Sequence, residues 1–385
     1  MKILIVHNNY GKYSGEEAVV DKMADMLTSH GHEVAFYRRT TEGVRESAVG
    51  KIKGFLSGIY SSSGVRGMWD ALRRERPDIV NVHNLYPFIS PAALFECKKA
   101  GVPVVMTIHN FRLICPTGLF MRDGLPCEVC LERGNEWSCV RYNCECSRLK
   151  SIGYTLRNVY ARWTGAYRKN VAAFACITDF QRQKLIAAGY EAERVTVIPN
   201  GIDAPASYDL TGGNYVAYIG RLSYEKGYDL LIEVARRNPS IPFRFAGAKR
   251  EQSDMEIPGN VEFMGYLQKE ELSDFICHSR FVVMPSRCYE GFPMAILEAA
   301  CYGKPTIGPA HGGFTEIIGR GEQAIGDLFD PNSLDDLERK VVSLWNRPDE
   351  IARLGEKAFE KLKREYSSEV IYQKWDNLFQ KLIKE

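Results

Sequence analysis

The chain has no long apolar run. No segment offers the roughly 18 consecutive apolar residues of a membrane-spanning helix, and the apolar stretch in the opening "MKILIVHNNYGK" is too short for the core of a secretion signal. A cytoplasmic protein is expected. Charge of one sign is also missing: 50 Lys and Arg stand against 48 Asp and Glu, a formal +2, so no global field recruits nucleic acid and any anionic partner must be met locally. Tandem repeats and low-complexity tracts are absent. "HNNYGKYSG" lacks the G-x-G-x-x-G of a dinucleotide fold, and "EVAFYRR" ends in Arg38 and Arg39 where a nicotinamide cofactor would want an acid. No DxD metal pair occurs in either candidate cleft loop, so no catalytic cofactor is expected.

At 385 residues the chain exceeds one hydrophobic core, and its 45% hydrophobic and 25% charged composition is that of an ordinary globular protein, which predicts two domains. "KILIV", an amphipathic helix from Glu16 to His30 and "EVAFY" make a β-α-β start. "DIVNVHN", "VPVVMTIHN", "AFACIT" and "VTVIPNG" continue as short strands separated by helix-length segments, the pattern of a parallel sheet covered on both faces. After "PNGIDAPASYDLTGGN" the pattern restarts with "YVAYIG", "FRFAGA", "VEFMG", "FVVMPS" and "KPTIGP". The fold class is therefore α/β, two doubly wound Rossmann-like domains with a cleft between them and a boundary near residues 200 to 214.

The chemistry gathers in the second half. "YVAYIGRLSYEKGYDLLIEVARR" sets Gly220, Arg221, Lys226 and Gly227 beyond a strand end and before a helix, where backbone donors and two cations suit an anion, a diphosphate above all. "CYEGFPMAILEAA" holds Glu290 in a turn, with Gly291, Phe292 and Pro293 opening a helix that carries Glu298 eight residues on, a little over two turns at about 3.6 residues per turn. Carboxylates in so apolar a segment need partners, and each can accept two hydrogen bonds from the vicinal hydroxyls of a ribose or a hexose.

Two glutamates spaced eight apart, "GRLSYEKG" upstream of them, "PNGID" at the close of the first half and "ACYGKPTIGPAHGGFTEII" after them together resemble the retaining glycosyltransferases of family 4, over nearly the whole chain. The resemblance implies the GT-B fold, with an N-terminal acceptor-side domain over residues 1–200, a donor-side domain over 201–364, and a final helix within 365–385 packing back on the first domain. It implies that Arg221 and Lys226 hold the donor diphosphate, that Glu298 takes the ribose hydroxyls, and that Glu290 contacts the transferred sugar. Gly220, Gly291 and Phe292 complete the donor site. His109, in "TIHNF", matches a histidine near the donor sugar, and Gly15 falls in the first glycine-rich loop, where this chain has Ser14 and Gly15 instead of paired glycines. His83, in "NVHNLYP", has a structural and a functional reading open.

The partners expected are a nucleotide-diphosphate sugar and a sugar or lipid-linked acceptor, in polysaccharide or glycoconjugate assembly. A nucleotide-sugar epimerase of the same architecture and a binding module without turnover stay open as alternatives. Seven Lys or Arg against Glu145 alone between Arg141 and Asn170, interleaved with Tyr160, Trp163 and Tyr167, resemble the face by which some family members approach the inner face of a membrane. Six of the 11 cysteines fall between Cys115 and Cys146, in an insertion over residues 111–147. Cys127 and Cys130 have C-x2-C spacing, and with Cys139 and Cys144 they would close a four-thiolate structural zinc site; reduced thiols and disulfides are the other readings.

Overall fold

The computed structural model describes residues 1–10, 14–42, 48–208, 212–249 and 255–384. Residues 11–13 of the first glycine-rich loop and 209–211 of the expected boundary lie outside that set. The chain divides into two compact units, one of residues 1–120, 128–199 and 372–385, the other of 121–127 and 200–371.

The first unit is built on a parallel sheet of β1 (Lys2–Asn9), β2 (Glu33–Thr40), β3 (Ile79–Asn84), β4 (Val104–Ile108), β7 (Ala173–Cys176) and β8 (Val195–Val197), in the order β2-β1-β3-β4-β7-β8. Ile3 to Val6 and Ile79 to Val82 are buried, because helices cover both faces of the central strands. The helix Gly15–Ser29 starts from a capping box: Ser14 Oγ accepts from the Glu17 amide, and the Glu17 carboxylate accepts from the Ser14 amide. From Tyr372 the final helix Ser368–Lys384 belongs to this unit, where the Tyr372 ring stacks on His30 at 3.6 Å and its hydroxyl meets His32 Nε2 at 3.0 Å.

The hairpin β5 (Met121–Arg122) and β6 (Leu125–Pro126) groups with the second unit. That unit's sheet comprises β9 (Val216–Ile219), β10 (Phe243–Ala246), β11 (Val261–Gly265), β12 (Phe281–Val283), β13 (Thr306–Pro309) and β14 (Gly326–Phe329), ordered β11-β10-β9-β12-β13-β14. Its core joins Phe243, Phe245, Phe281 and Ile307 to Leu231, Leu337 and Val341 of the covering helices. Both sheets reverse strand order once, between β1 and β3 and between β9 and β12. Neighbouring crossovers leave in opposite directions at such a point, which opens a crevice over the carboxyl ends of the strands.

The helix Pro348–Lys361 approaches the segment after Met294–Ala300 so closely that a Cβ on Gly355 would stand 1.9 Å from the Gly303 carbonyl oxygen. Backbone cannot yield as a side chain can. Gly355→Ala is expected to destabilise the protein by about 1–3 kcal/mol, the range for overpacking, whereas Gly259→Ala, which meets no atom within 4 Å, should be near neutral. Urea denaturation of both variants measures the difference.

Candidate active site

The reversal between β9 and β12 places two loops side by side. Gly220 continues β9 by donating to the Ala246 carbonyl at 3.0 Å; Arg221 follows, then the turn Tyr224–Lys226 and the helix Tyr228–Arg237. The other loop, residues 284–293, leads from β12 into the helix Met294–Ala300. Lys226 Nζ stands 2.8 Å from Glu290 Oε2, and Arg221 Nη2 stands 3.3 Å from Glu225 Oε1. Arg287 braces the pair of loops with a two-pronged contact to Asp229, both distances 2.6 Å, and its amide donates to the Glu225 carbonyl at 3.0 Å. The Glu290 carbonyl in turn accepts from the Gly313 amide at 2.8 Å. Phe292 is buried against Tyr366, and Glu298 is half-buried on the helix Met294–Ala300.

Several polar groups here are buried without a hydrogen-bond partner among the described residues: Glu290 Oε1, Ser223 Oγ and both ring nitrogens of His311. An unmade buried hydrogen bond costs about 1–3 kcal/mol. His311, which follows β13 and packs edge-on to Tyr289 at 5.3 Å, has its pKa pushed down to about 4 by burial, against the opposing pull of the Ser286 backbone and the Glu290 charge. It is neutral at physiological pH. Three orphaned groups in adjacent loops beside two cations describe a cradle for a ligand rich in hydroxyls and negative charge.

Comparison with known proteins agrees. Residues 13–204 match the sequence profile "Glycosyltransferase Family 4", and residues 204–361 match "Glycosyl transferases group 1". The chain belongs to the family 4 glycosyltransferases. An uncharacterised 42.6 kDa protein from the cps region of Klebsiella pneumoniae is 26% identical over 89% of this chain and 96% of its own length, so the likeness is end to end. Mycobacterium tuberculosis glycogen synthase is 25% identical over 78% of this chain and 67% of its own. Among solved structures, Anabaena HepE, crystallised with UDP and glucose, superposes with a TM-score of 0.68 over 99% of this chain and all of its own. Sucrose-phosphate synthase from Thermosynechococcus elongatus gives 0.71 over 100% and 99%. At 17% and 14% identity these two speak for the fold, which is GT-B.

In the first unit of this glycosyltransferase the residues at the strand ends form a second polar cluster. His109 follows β4 and is partly exposed; its Nε2 lies 2.8 Å from Nδ1 of the buried His83, at the end of β3. From β1, His7 Nε2 reaches Glu16 Oε1 at 3.1 Å, and the Tyr10 hydroxyl donates to Glu16 Oε2 at 3.3 Å. Burial pushes the Glu16 carboxyl up, but the His7 hydrogen bond and the fields of His109 and Arg112 outweigh it and hold the group below its usual range. Gly15 is the first residue of its helix rather than part of a loop. Sequence reasoning passed over Glu16, His311 and Ser223. The second acid of "SGEE", where Glu17 alone serves the cap, was the signal available for Glu16.

The expected zinc ligands are not brought together. Cys127 follows β6 and groups with the second unit, while Cys130 lies inside the helix Val129–Glu132 of the first. The Cys139 and Cys144 thiols do make contact, and their hydrogen bond holds Cys139 below the usual thiol range, with Cys115 and Cys130 near enough to oppose it. No group of three or more His, Cys, Asp or Glu able to hold a metal ion occurs among the described residues. The basic aromatic face is divided as well. Trp163 is 84% exposed, but Tyr167 is buried with its hydroxyl 2.7 Å from that of Tyr86, and Arg157 is buried over the Tyr86 ring. No described helix is long and apolar enough to cross a membrane.

Since an unfolded histidine titrates near 6.5 and folded His311 near 4, the unfolded state binds the extra proton between those values, and stability must fall as pH drops through that window. Urea midpoints at about pH 7.5 and about pH 5 should therefore differ less in His311→Gln than in the parent; an unchanged difference would remove His311 from the titration.

Proposed function

We propose that the chain transfers a sugar from a nucleoside-diphosphate sugar to an acceptor hydroxyl, with retention of configuration and without a catalytic metal. The observation that carries this reading is the Lys226–Glu290 pair: the lysine satisfies one carboxylate oxygen at 2.8 Å, and the other is buried and unpaired. A donor sugar's hydroxyl completes Glu290, and the neutral His311 beside it takes another. Arg221 and Lys226 meet the diphosphate, where negative charge grows as it leaves, so fixed cations bind the transition state more tightly than the ground state. Glu298 holds the ribose hydroxyls. No nucleophile is assigned to the enzyme: the acceptor oxygen attacks C1 on the face the diphosphate leaves, the C1–O bond to the diphosphate breaks, the acceptor's proton passes to the departing phosphate oxygen, and Glu290 orients the sugar. UDP bound to HepE and the glycogen synthase likeness support a nucleotide-sugar donor.

Arg221→Ala and Lys226→Ala should each lower turnover about 100- to 1000-fold, the typical loss for one such charge-stabilising group, with little change in folding stability. Glu298→Gln should weaken binding of the nucleoside diphosphate itself, whereas Glu290→Gln should spare it and impair transfer. Calorimetric titration of UDP alongside a transfer assay separates the two roles, and equal losses in both would contradict the division.

Two further parts of this reading concern surroundings. The acceptor is a saccharide or a lipid-linked glycan, and a peripheral bilayer contact would use the outward Trp163 and Leu149 with the exposed Arg148 and Lys150. A structural zinc on Cys127, Cys130, Cys139 and Cys144 is proposed as well, and its binding would draw together thiols of which no three are grouped among the described residues. Elemental analysis of untagged protein is expected to find near one zinc per chain that is lost in Cys139→Ser with Cys144→Ser; folded, active, metal-free protein would end that assignment.

A further inference from the structure

"NVHN" and "TIHN" end two adjacent parallel strands, β3 and β4, so their histidines meet side by side. The rings of His83 and His109 lie edge to edge, with centroids 5.1 Å apart and planes at 21°, and His83 Nδ1 lies 2.8 Å from His109 Nε2. His83 is 4% exposed, and its Nε2 has no hydrogen-bond partner among the described residues. A cavity of about 20 Å³, lined by His83, His109, Asn84, Tyr86 and Arg112 among others, lies against the pair. That is room for about one water.

Both rings are neutral at physiological pH, because burial pushes each down; for His83 the fields of His109, His7 and Arg38 add to the effect, and for His109 the Glu16 charge opposes burial without overcoming it. Two neutral imidazoles in contact share one N–H, and it belongs to one ring or the other. If His109 donates, His83 must carry its own proton on Nε2, a buried N–H without an acceptor among the described residues. If His83 donates from Nδ1, its Nε2 is instead a bare lone pair. Orphaned buried N–H groups are the rarer and costlier of the two.

We propose that His83 is a positioning residue: by donating from Nδ1 to His109 Nε2 it fixes His109 as the Nδ1–H tautomer, so that His109 presents a hydrogen-bond donor, and not a base, to a substrate oxygen. The second half rests on the reading of His109 as a substrate-contacting group; the tautomer does not. A donor fits a transfer in which no enzyme base is assigned, since His109 then orients a hydroxyl or steadies an oxygen gaining charge. The charged or titratable groups around the pair are His7 on β1, Arg38 on β2, Glu16 on the first helix and Arg112 beyond β4.

The direct test is nitrogen-15 NMR of the full-length protein near neutral pH, with His109 and His83 assigned through single-residue variants. His109 should show a protonated Nδ1 and an unprotonated Nε2, and His83 a protonated Nδ1. The reverse pattern in the parent protein overturns the proposal whatever the kinetics show. For the functional half, His83→Phe should lower kcat about 10- to 100-fold, the order seen when a partner that orients a site residue is removed, with KM for the donor nearly unchanged and His109 shifted toward the other tautomer. His83→Asn, which keeps a donor where Nδ1 stood, should restore most of kcat and the tautomer. A His83→Phe enzyme with parental kcat and an unmoved tautomer defeats the positioning role. Should His109→Ala leave transfer intact while the parent tautomer is as stated, the assignment of His109 to substrate has failed and not the histidine pairing. If His83→Phe does not fold, the parent spectrum and His83→Asn still decide.

Discussion

Glu290 is held between satisfaction and need, and the second unit is arranged around that constraint. Its backbone is fixed by the Gly313 amide on one side, and its side chain meets Lys226 on the other. The free oxygen could be relieved by a small rotation into solvent if the loop were slack. It is not slack, because Arg287 clasps Asp229 and the Glu225 carbonyl, tying the Glu290 loop to the cation-bearing loop. The cost of one unpaired carboxylate oxygen, about 1–3 kcal/mol, is thus borne by the fold as a whole and returned when a ligand donates to it. Arg221 has a different standing. Its partner is Glu225, in a half-exposed contact at 3.3 Å that contributes at most about 1 kcal/mol, so the guanidinium can be drawn to an anion at small expense.

Much of this could be read in the sequence, and the reason is local. Arg221, Lys226, Glu290 and Glu298 sit in loops and a helix start whose geometry depends on neighbours a few residues away, so short motifs carry nearly all the information. The alternation of strand and helix likewise reports two doubly wound sheets. What was missed depends on partners far along the chain. His311 is unremarkable until β13 lies beside β12 and Glu290 comes near it, and Ser223 becomes an orphan through burial that no motif signals. The basic aromatic segment between Arg141 and Asn170, with Tyr160, Trp163 and Tyr167 at helical spacing, is divided for a reason that the spacing does not carry. Gly165, at φ 70°, ends the first helix and restarts another, which turns Tyr167 toward Tyr86. Arg157 is drawn inward by Pro116 and the Tyr86 ring, 41 and 71 residues away.

The cysteines teach the same point about spacing. A C-x2-C pair suggests one knuckle presenting two thiolates, but here strand β6 ends before Cys127, and a helix has begun by Cys130. Cys139 and Cys144 do make contact through their thiols. There the chain leaves the helix Trp137–Arg141 in a turn that brings the Cys144 amide back to the Cys139 carbonyl at 3.1 Å.

The two units use the same device, a reversal in strand order, for different chemistry. In the second unit the crevice loops carry permanent cations and unpaired acceptors, suited to a fixed anion and its hydroxyls. In the first the strand ends bring together His7, His83, His109, Glu16 and Arg112, a network in which His7 and His83 are buried and His109 is partly exposed, and a charge on His83 or His109 is disfavoured by its surroundings. Neutral imidazoles can donate and accept without bringing a net charge that the low-dielectric interior would have to compensate. That suits a partner whose reacting group is an uncharged hydroxyl, which needs orientation more than electrostatic capture. Glu16 is the ionised carboxylate in that neighbourhood, and it keeps its charge because His7, His109 and Arg112 outweigh the cost of burying it. In this cluster the Glu16 charge faces that of Arg112, and direction in the hydrogen bonds, rather than net charge, is what the neutral histidines can impose.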